Sequence, residues 1–131
     1  MRKKKLLDSF ALLAYLKKED SYEIVKSFLS SDDVLLLIND INLGETFYIL
    51  AKERSIEKAE YFINTIFPSL PLTQIANTFN DVLEAAKIKA EHSISYADCF
   101  AVATAIKENA PIVTGDPEFK KVQKLVKIEW L

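Results

Sequence analysis

Five short apolar runs, set apart by longer segments with helical spacing, constrain what this chain can fold into more than any other feature. The runs are Leu6-Leu7, Val34 to Ile38, Leu70 to Leu72, Ile112-Val113 and Val126 to Trp130. Several are continuous rather than alternating, the pattern of strands buried on both faces of a parallel sheet. Between them, Ser9 to Lys17 reads as a short apolar helix, Ser21 caps a second to about Leu29, and Asp40 caps a third through Lys52. Ser55 opens a fourth that ends before Pro68, and Thr73 opens a fifth with Ile75, Phe79, Val82, Leu83 and Ala86 on one face. Ser95 opens an Ala-rich helix through Lys107. Strands separated by helices predict an α/β fold with a parallel sheet and right-handed crossovers. Ligands bind such sheets beyond the carboxyl ends of the strands, near the point where strand order reverses.

The chain has 131 residues, with no linker, repeat or low-complexity stretch, and reads as one domain, 1–131. Half of its residues are apolar, which points to some apolar surface meeting a partner chain. A net charge of −2 shows no general electrostatic grip on nucleic acid, so any basic surface must be local. One cysteine, Cys99, allows no internal disulfide and fits a reducing compartment. With a single histidine, His92, read as a solvated residue at a helix end, a structural zinc site and a two-histidine nuclease are both excluded. MRKKK followed by LLDSFALLAYL has the outline of a signal peptide, but Asp8 interrupts the apolar region and no small-x-small site follows. Residues 61–80 carry no charge, yet Pro68, Pro71 and their Asn and Thr residues exclude a membrane span. A soluble, cytoplasmic protein is expected.

Against that background four acids stand out. Asp8 closes KKKLLD and Asp116 closes PIVTGD, each at the carboxyl end of a predicted strand. Glu45 and Asp98 lie inside INLGETFYILA and YADCFAVATA, on predicted helices. One turn from Glu45 stand Ile41, Asn42, Tyr48 and Ile49; Ala101, Val102 and Ala105 share the face of Asp98. No Lys or Arg stands one turn from Glu45 or Asp98 to offset their burial. The two glycines, Gly44 and Gly115, directly precede Glu45 and Asp116 and suggest close backbone approach there. Each acid has a structural alternative: Asp8 as a helix cap, Asp98 in a capping box with Ser95, Asp116 as a turn opener before Pro117. As a set they form an all-oxygen group that would repel itself without a cation, and Mg²⁺ or Mn²⁺ is the matching chemistry. Ions in such sites serve in-line displacement at phosphorus without a histidine base. Phosphate-binding glycine loops are absent, a receiver-type acid pair is missing at Asp8, and Phe10 stands where a dehalogenase-like site needs a second Asp.

With these residues placed, the chain resembles the PIN-domain family, most closely the VapC ribonuclease toxins of prokaryotic toxin–antitoxin pairs. LLDSFALLAYL is similar to that family's opening strand and helix, with Asp8 as first acid followed by Ser9. INLGETFYILAKE resembles its second motif, with Asn42 near Glu45; SYADCFAVATA its third, with Asp98; and APIVTGDPEF its fourth, with Thr114, Gly115 and Asp116. Phe10 departs from the small polar residue that many relatives carry, removing a hydrogen bond beside the acids. The resemblance implies a three-layer α/β/α fold with a five-stranded parallel sheet in the order 3-2-1-4-5, which sets the ends of the first and fourth strands side by side. It implies Mg²⁺- or Mn²⁺-dependent cleavage of RNA, catalytic and metal-ligating roles for Asp8, Glu45, Asp98 and Asp116, and supporting roles for Ser9, Asn42 and Thr114. It also implies a homodimer and a cognate VapB-like antitoxin.

RNA contact needs positive charge near the acids, with Arg2 to Lys5, Lys52, Arg54, Lys120, Lys121 and Lys124 as candidates. Leu13, Tyr15, Tyr61, Phe62 and Phe67 are candidates for a dimer or antitoxin surface, with core packing as the alternative. A housekeeping RNA-processing nuclease and a catalytically silent RNA- or protein-binding module remain as competing readings; intact acids argue against the second.

Overall fold

The computed structural model describes residues 2–131. Five strands, β1 (Lys3–Leu7), β2 (Val34–Asn39), β3 (Leu72–Ile75), β4 (Ile112–Thr114) and β5 (Ile128–Trp130), form one sheet. Its order is β3-β2-β1-β4-β5 and every pairing is parallel, as the resemblance implied. β1 is central, in register with β2 (Leu6 opposite Leu37) and with β4 (Leu6 opposite Ile112, Leu7 opposite Val113).

Adjacent residues of the central strands point to opposite faces, and both faces are covered. Leu6, Leu37 and Ile112 pack against α6 (Phe79–Glu91), α7 (Tyr96–Glu108) and the 3₁₀ turn Pro117–Val122. Leu7, Leu36 and Val113 pack against α1 (Ser9–Leu16) and α2 (Tyr22–Leu29). Ile38 joins α1 to α3 (Asp40–Glu53) and α4 (Ile56–Tyr61), where Leu13 and Phe62 are buried. Leu6 and Leu7 are both fully buried, which is why this run is continuous rather than alternating. Of the apolar candidates for a partner surface, Leu13, Phe62 and Phe67 serve the core and Tyr15 stacks on Tyr22 at 5.3 Å, while Tyr61 is exposed.

The fifth helix begins later than its spacing suggests. Thr73 and Ile75 lie on β3, an edge strand paired with β2, and Thr78 caps α6 in a reciprocal box: Asp81 Oδ2 accepts from the Thr78 N–H at 2.8 Å and Thr78 Oγ1 from the Asp81 N–H at 3.2 Å. The helix thereby rotates: Ala85 is buried with Val82 and Ile88 packed inward, whereas Phe79, Leu83 and Ala86 face out. The cap of α3 is Asn39 rather than Asp40; its Oδ1 accepts from the Asn42 N–H at 2.7 Å. Its Nδ2 donates to the Phe100 carbonyl and Thr104 Oγ1 of α7, tying β2, α3 and α7 in one buried group. α4 runs through a π turn (Phe62–Ile66) into α5 (Phe67–Ser69), and Pro68 enters in the first turn of that last segment, where its missing N–H is not needed.

The two glycines separate. A Cβ on Gly115 would fall 2.4 Å from Phe10 Cε1, so the bare backbone there seats the Phe10 ring. Gly44 meets nothing within 4 Å and lies exposed inside α3, so the close approach expected there is not found. With open space and an ordinary helical position, Gly44→Ala is expected to raise stability by about 0.5–1 kcal/mol, read as a higher urea midpoint at unchanged slope.

Candidate active site

The carboxyl ends of β1 and β4 lie side by side, and one cleft opens there. Asp8, Glu45, Asp98 and Asp116 all line it, together with Ser9, Phe10, Lys89, Ser95 and Glu118. Each acid comes from a different element. Asp8 follows β1 and caps α1, its Oδ1 accepting from the Ala11 N–H at 2.9 Å. Glu45 reaches in from α3, and Asp98 from the first turn of α7, where Ser95 Oγ accepts from the Asp98 N–H at 3.1 Å. Asp116 stands two residues past β4 and opens the 3₁₀ turn, accepting from the Glu118 N–H at 3.0 Å.

Thr114 joins the two strand ends. Its hydroxyl donates to Asp8 Oδ2 at 2.5 Å and accepts from the Asp116 N–H at 3.0 Å. Ser9 donates its hydroxyl to Glu45 Oε1, linking α1 to α3 across the cleft. Asn42 does not partner Glu45: its Nδ2 donates to the Ala97 carbonyl at 3.2 Å, holding α3 against α7 beside Asp98, and its Oδ1 is buried without a hydrogen-bond partner among the described residues.

Negative charge is concentrated and poorly solvated here. Asp8 is 2% exposed, and burial drives its pKa from the ordinary 3.8 up to about 7. The Thr114 hydroxyl and the Ala11 N–H oppose that rise, and Asp98 and Asp116 add to it. Asp98 is raised to about 6, chiefly by burial; the Ser95 hydroxyl opposes this, while Asp116, Glu45 and Glu118 add to it. Glu118 is thus a fifth acid at the site, which sequence reasoning missed although it stands two residues after Asp116.

The nearby positive charge is only in part where the sequence pointed. Lys3, Lys4 and Lys5 lie at the amino-terminal half of β1, away from the carboxyl ends, and Lys4 and Lys5 pair with Glu108 and Glu129. Lys89 of α6 lines the cleft, with its Nζ donating to the Ile94 carbonyl at 2.6 Å. Of the tail lysines, Lys121 reaches the rim, bonding the Ser93 carbonyl at 3.0 Å and Glu118 Oε2 at 2.8 Å. His92 ends α6, its Nδ1 3.2 Å from the Ile88 carbonyl, and does not line the cleft.

A hard divalent cation fits this donor set in its chemistry: oxygen ligands only, a surplus of carboxylates, and two whose charged forms are disfavoured by burial and by one another. Among the described residues no group of three or more His, Cys, Asp or Glu side chains is gathered tightly enough to hold an ion as it stands.

The raised pKa of Asp8 has a thermodynamic sign. Between about 3.8 and about 7 the folded protein keeps a proton that the unfolded chain has lost, so this group's contribution to stability falls as pH rises through that window. The melting midpoint of the metal-free protein is expected to drop between pH 5 and pH 8. Asp8→Asn should flatten that dependence and raise the midpoint at pH 8 by roughly 3 °C or more. A wild-type midpoint that holds or climbs over that range contradicts the assignment.

Comparison with known proteins agrees with the fold. No curated protein matches the sequence. The chain is similar in structure to VapBC2 from Rickettsia felis, solved bound to a promoter DNA fragment (TM-score 0.77, 20% identity, 98% of each chain covered). It is likewise similar to VapC20 of Mycobacterium tuberculosis, described as a toxin cleaving the sarcin–ricin loop (TM-score 0.75, 17% identity, 89% of this chain and 93% of that one). FitAcB from Neisseria gonorrhoeae matches with a TM-score of 0.67 at 21% identity over 94% of each chain. At these identities the likeness is one of fold. The family model for the PIN domain matches residues 5–125, nearly the whole chain and all four acids, and on that match the chain belongs to the PIN-domain family.

Proposed function

We propose that this protein is a Mg²⁺- or Mn²⁺-dependent endoribonuclease, the toxin of a VapBC-type pair, acting in the cytoplasm through a single domain spanning 1–131. The observation that carries the reading is the set of carboxylates brought into one cleft at the ends of β1 and β4, in a chain of the PIN-domain family. Asp8, Glu45, Asp98 and Asp116 would hold the cation. When bound, it supplies a Lewis acid that lowers the pKa of a water and stabilises the leaving oxygen of a phosphodiester.

The chain's own groups prepare that site. Thr114 fixes Asp8 Oδ2 and the Asp116 backbone with one hydroxyl, and Ser9 orients Glu45. Lys89 carries positive charge on the cleft wall, opposing the repulsion that the acids would exert on an RNA phosphate. A VapB-like antitoxin and a homodimeric state are part of the reading. They are supported by structural neighbours solved as toxin–antitoxin complexes and by exposed apolar side chains such as Ile56, Tyr61 and Phe79. Among the described residues no helix is long and apolar enough to cross a membrane.

Purified protein freed of antitoxin is expected to cleave RNA with Mg²⁺ or Mn²⁺ and to lose that activity to a chelator. Asp8→Asn should lower kcat/KM by about 10³-fold; undiminished cleavage in that variant overturns the site assignment. Expression should arrest growth, and co-expression of a cognate antitoxin should relieve it. Lys89→Gln is expected to raise KM and to reduce the salt dependence of RNA binding by about one phosphate contact.

A further inference from the structure

Phe10 is an exposed aromatic ring at the mouth of the acid cleft, and nothing in the chemistry above uses it. It is 42% exposed. A single exposed ring is ordinary on a protein surface, but this one is held in an unusual way. Its Cε1, Cζ and Cδ1 atoms lie 2.4, 2.8 and 3.2 Å from where a Cβ on Gly115 would stand. Only a glycine leaves that space, so the ring is seated on the backbone directly before Asp116.

The ring is also shared by two cavities. On one side it lines the acid cleft. On the other it lines an open cavity of about 500 Å³, with Ala14, Glu19, Asp20, Ser21 and Leu131 as the remaining wall. Ala14 is buried, while Glu19 and Asp20 lie exposed. A flat apolar surface, a small apolar residue behind it and carboxylate acceptors at the edge match the face and the amino-bearing edge of a nucleobase.

We propose that Phe10 is a stacking platform for one base of the RNA next to the cleaved phosphate, and that the neighbouring carboxylates favour a base offering an amino N–H. The inference rests on the ribonuclease reading and deepens it by naming a residue that sets substrate choice. Cytosine presents an N4 amino donor where uracil presents an O4 acceptor. Asp20 accepts from the first and repels the second, while the Glu19 carboxylate lies 3.9 Å from Lys17 Nζ. The contact with Gly115 sets the ring against the backbone directly before Asp116, next to where the reacting phosphate would lie.

The test uses the full chain on an Asp8→Asn background without divalent ions, so that RNA stays uncut and one charge leaves the cleft. Binding of fluorescein-labelled single-stranded (C)₁₂ and (U)₁₂ RNA is read by anisotropy, with thermal melts to check folding. Phe10→Leu keeps apolar bulk and removes the π face; it is expected to weaken (C)₁₂ binding about 5- to 100-fold. Phe10→Tyr should stay within about twofold of the parent. The parent should favour (C)₁₂ over (U)₁₂ by about 5-fold or more, and Asp20→Asn should shrink that ratio. Equal binding by a folded Phe10→Leu chain overturns the platform, and equal binding of the two oligomers overturns the role of the carboxylates. In parallel, the chain with Asp8 intact is assayed for RNA cleavage with Mn²⁺. Cleavage there, alongside an indifferent Phe10→Leu, defeats the inference alone, whereas no binding and no cleavage of any RNA defeats the ribonuclease reading with it.

Discussion

Direct parallel pairing of β1 with β4 is the constraint on which the rest of the molecule depends. These strands are about a hundred residues apart in sequence, yet Leu7 lies opposite Val113, and the next residues on each strand carry the chemistry. Because side chains alternate along a strand, this register sends Leu6 and Ile112 to one helical layer and Leu7 and Val113 to the other. It also brings Thr114 within hydrogen-bond reach of Asp8. A slip of one residue would bury the wrong side chains and separate that pair.

The site is expensive as an empty structure. Asp8 and Asp98 are buried, and each is pushed toward its neutral form by burial and by neighbouring acids. Hydrogen bonds from the Ala11 N–H and the Thr114 hydroxyl go to Asp8 and lessen its cost without supplying positive charge, while the Ser9 hydroxyl and the Glu118 N–H do the same for Glu45 and Asp116. The sheet and the buried Asn39 group, which bonds both α3 and α7, hold the acids in place against their mutual repulsion. Stability elsewhere in the core is thus spent on an arrangement that suits a cation.

Much of this was legible in the sequence. Continuous apolar runs such as Val34 to Ile38 announced buried parallel strands, the helices after Ser55 and Ser95 begin where those caps stand, and those at Ser9 and after Ser21 begin where the pattern placed them, the first capped by Asp8 and the second without a side-chain cap. The misplacements have local causes. Thr73 and Ile75 fit a helical face by spacing, but β2 has an open edge that pairs with them, and the Thr78–Asp81 box starts the helix later. Asn42 was expected to serve Glu45 because it lies one turn away; the side chain instead bonds a helix distant in sequence. Gly44 and Gly115 look alike in the sequence, and only Phe10, folded over one of them, tells them apart.

The sequence by itself determined the fold class and singled out the four acids, because strand burial and acids in apolar surroundings are local patterns that spacing and residue type report. Tertiary structure alone decided what surrounds those acids. Lys89, Glu118 and Phe10 reach the cleft from three separate elements, and Lys3, Lys4 and Lys5 lie toward the other end of β1, in both cases because of strand order and helix rotation. The raised pKa of Asp8 belongs to the same class: it is set by burial and by the charges of Asp98 and Asp116, which are neighbours only after the chain has folded.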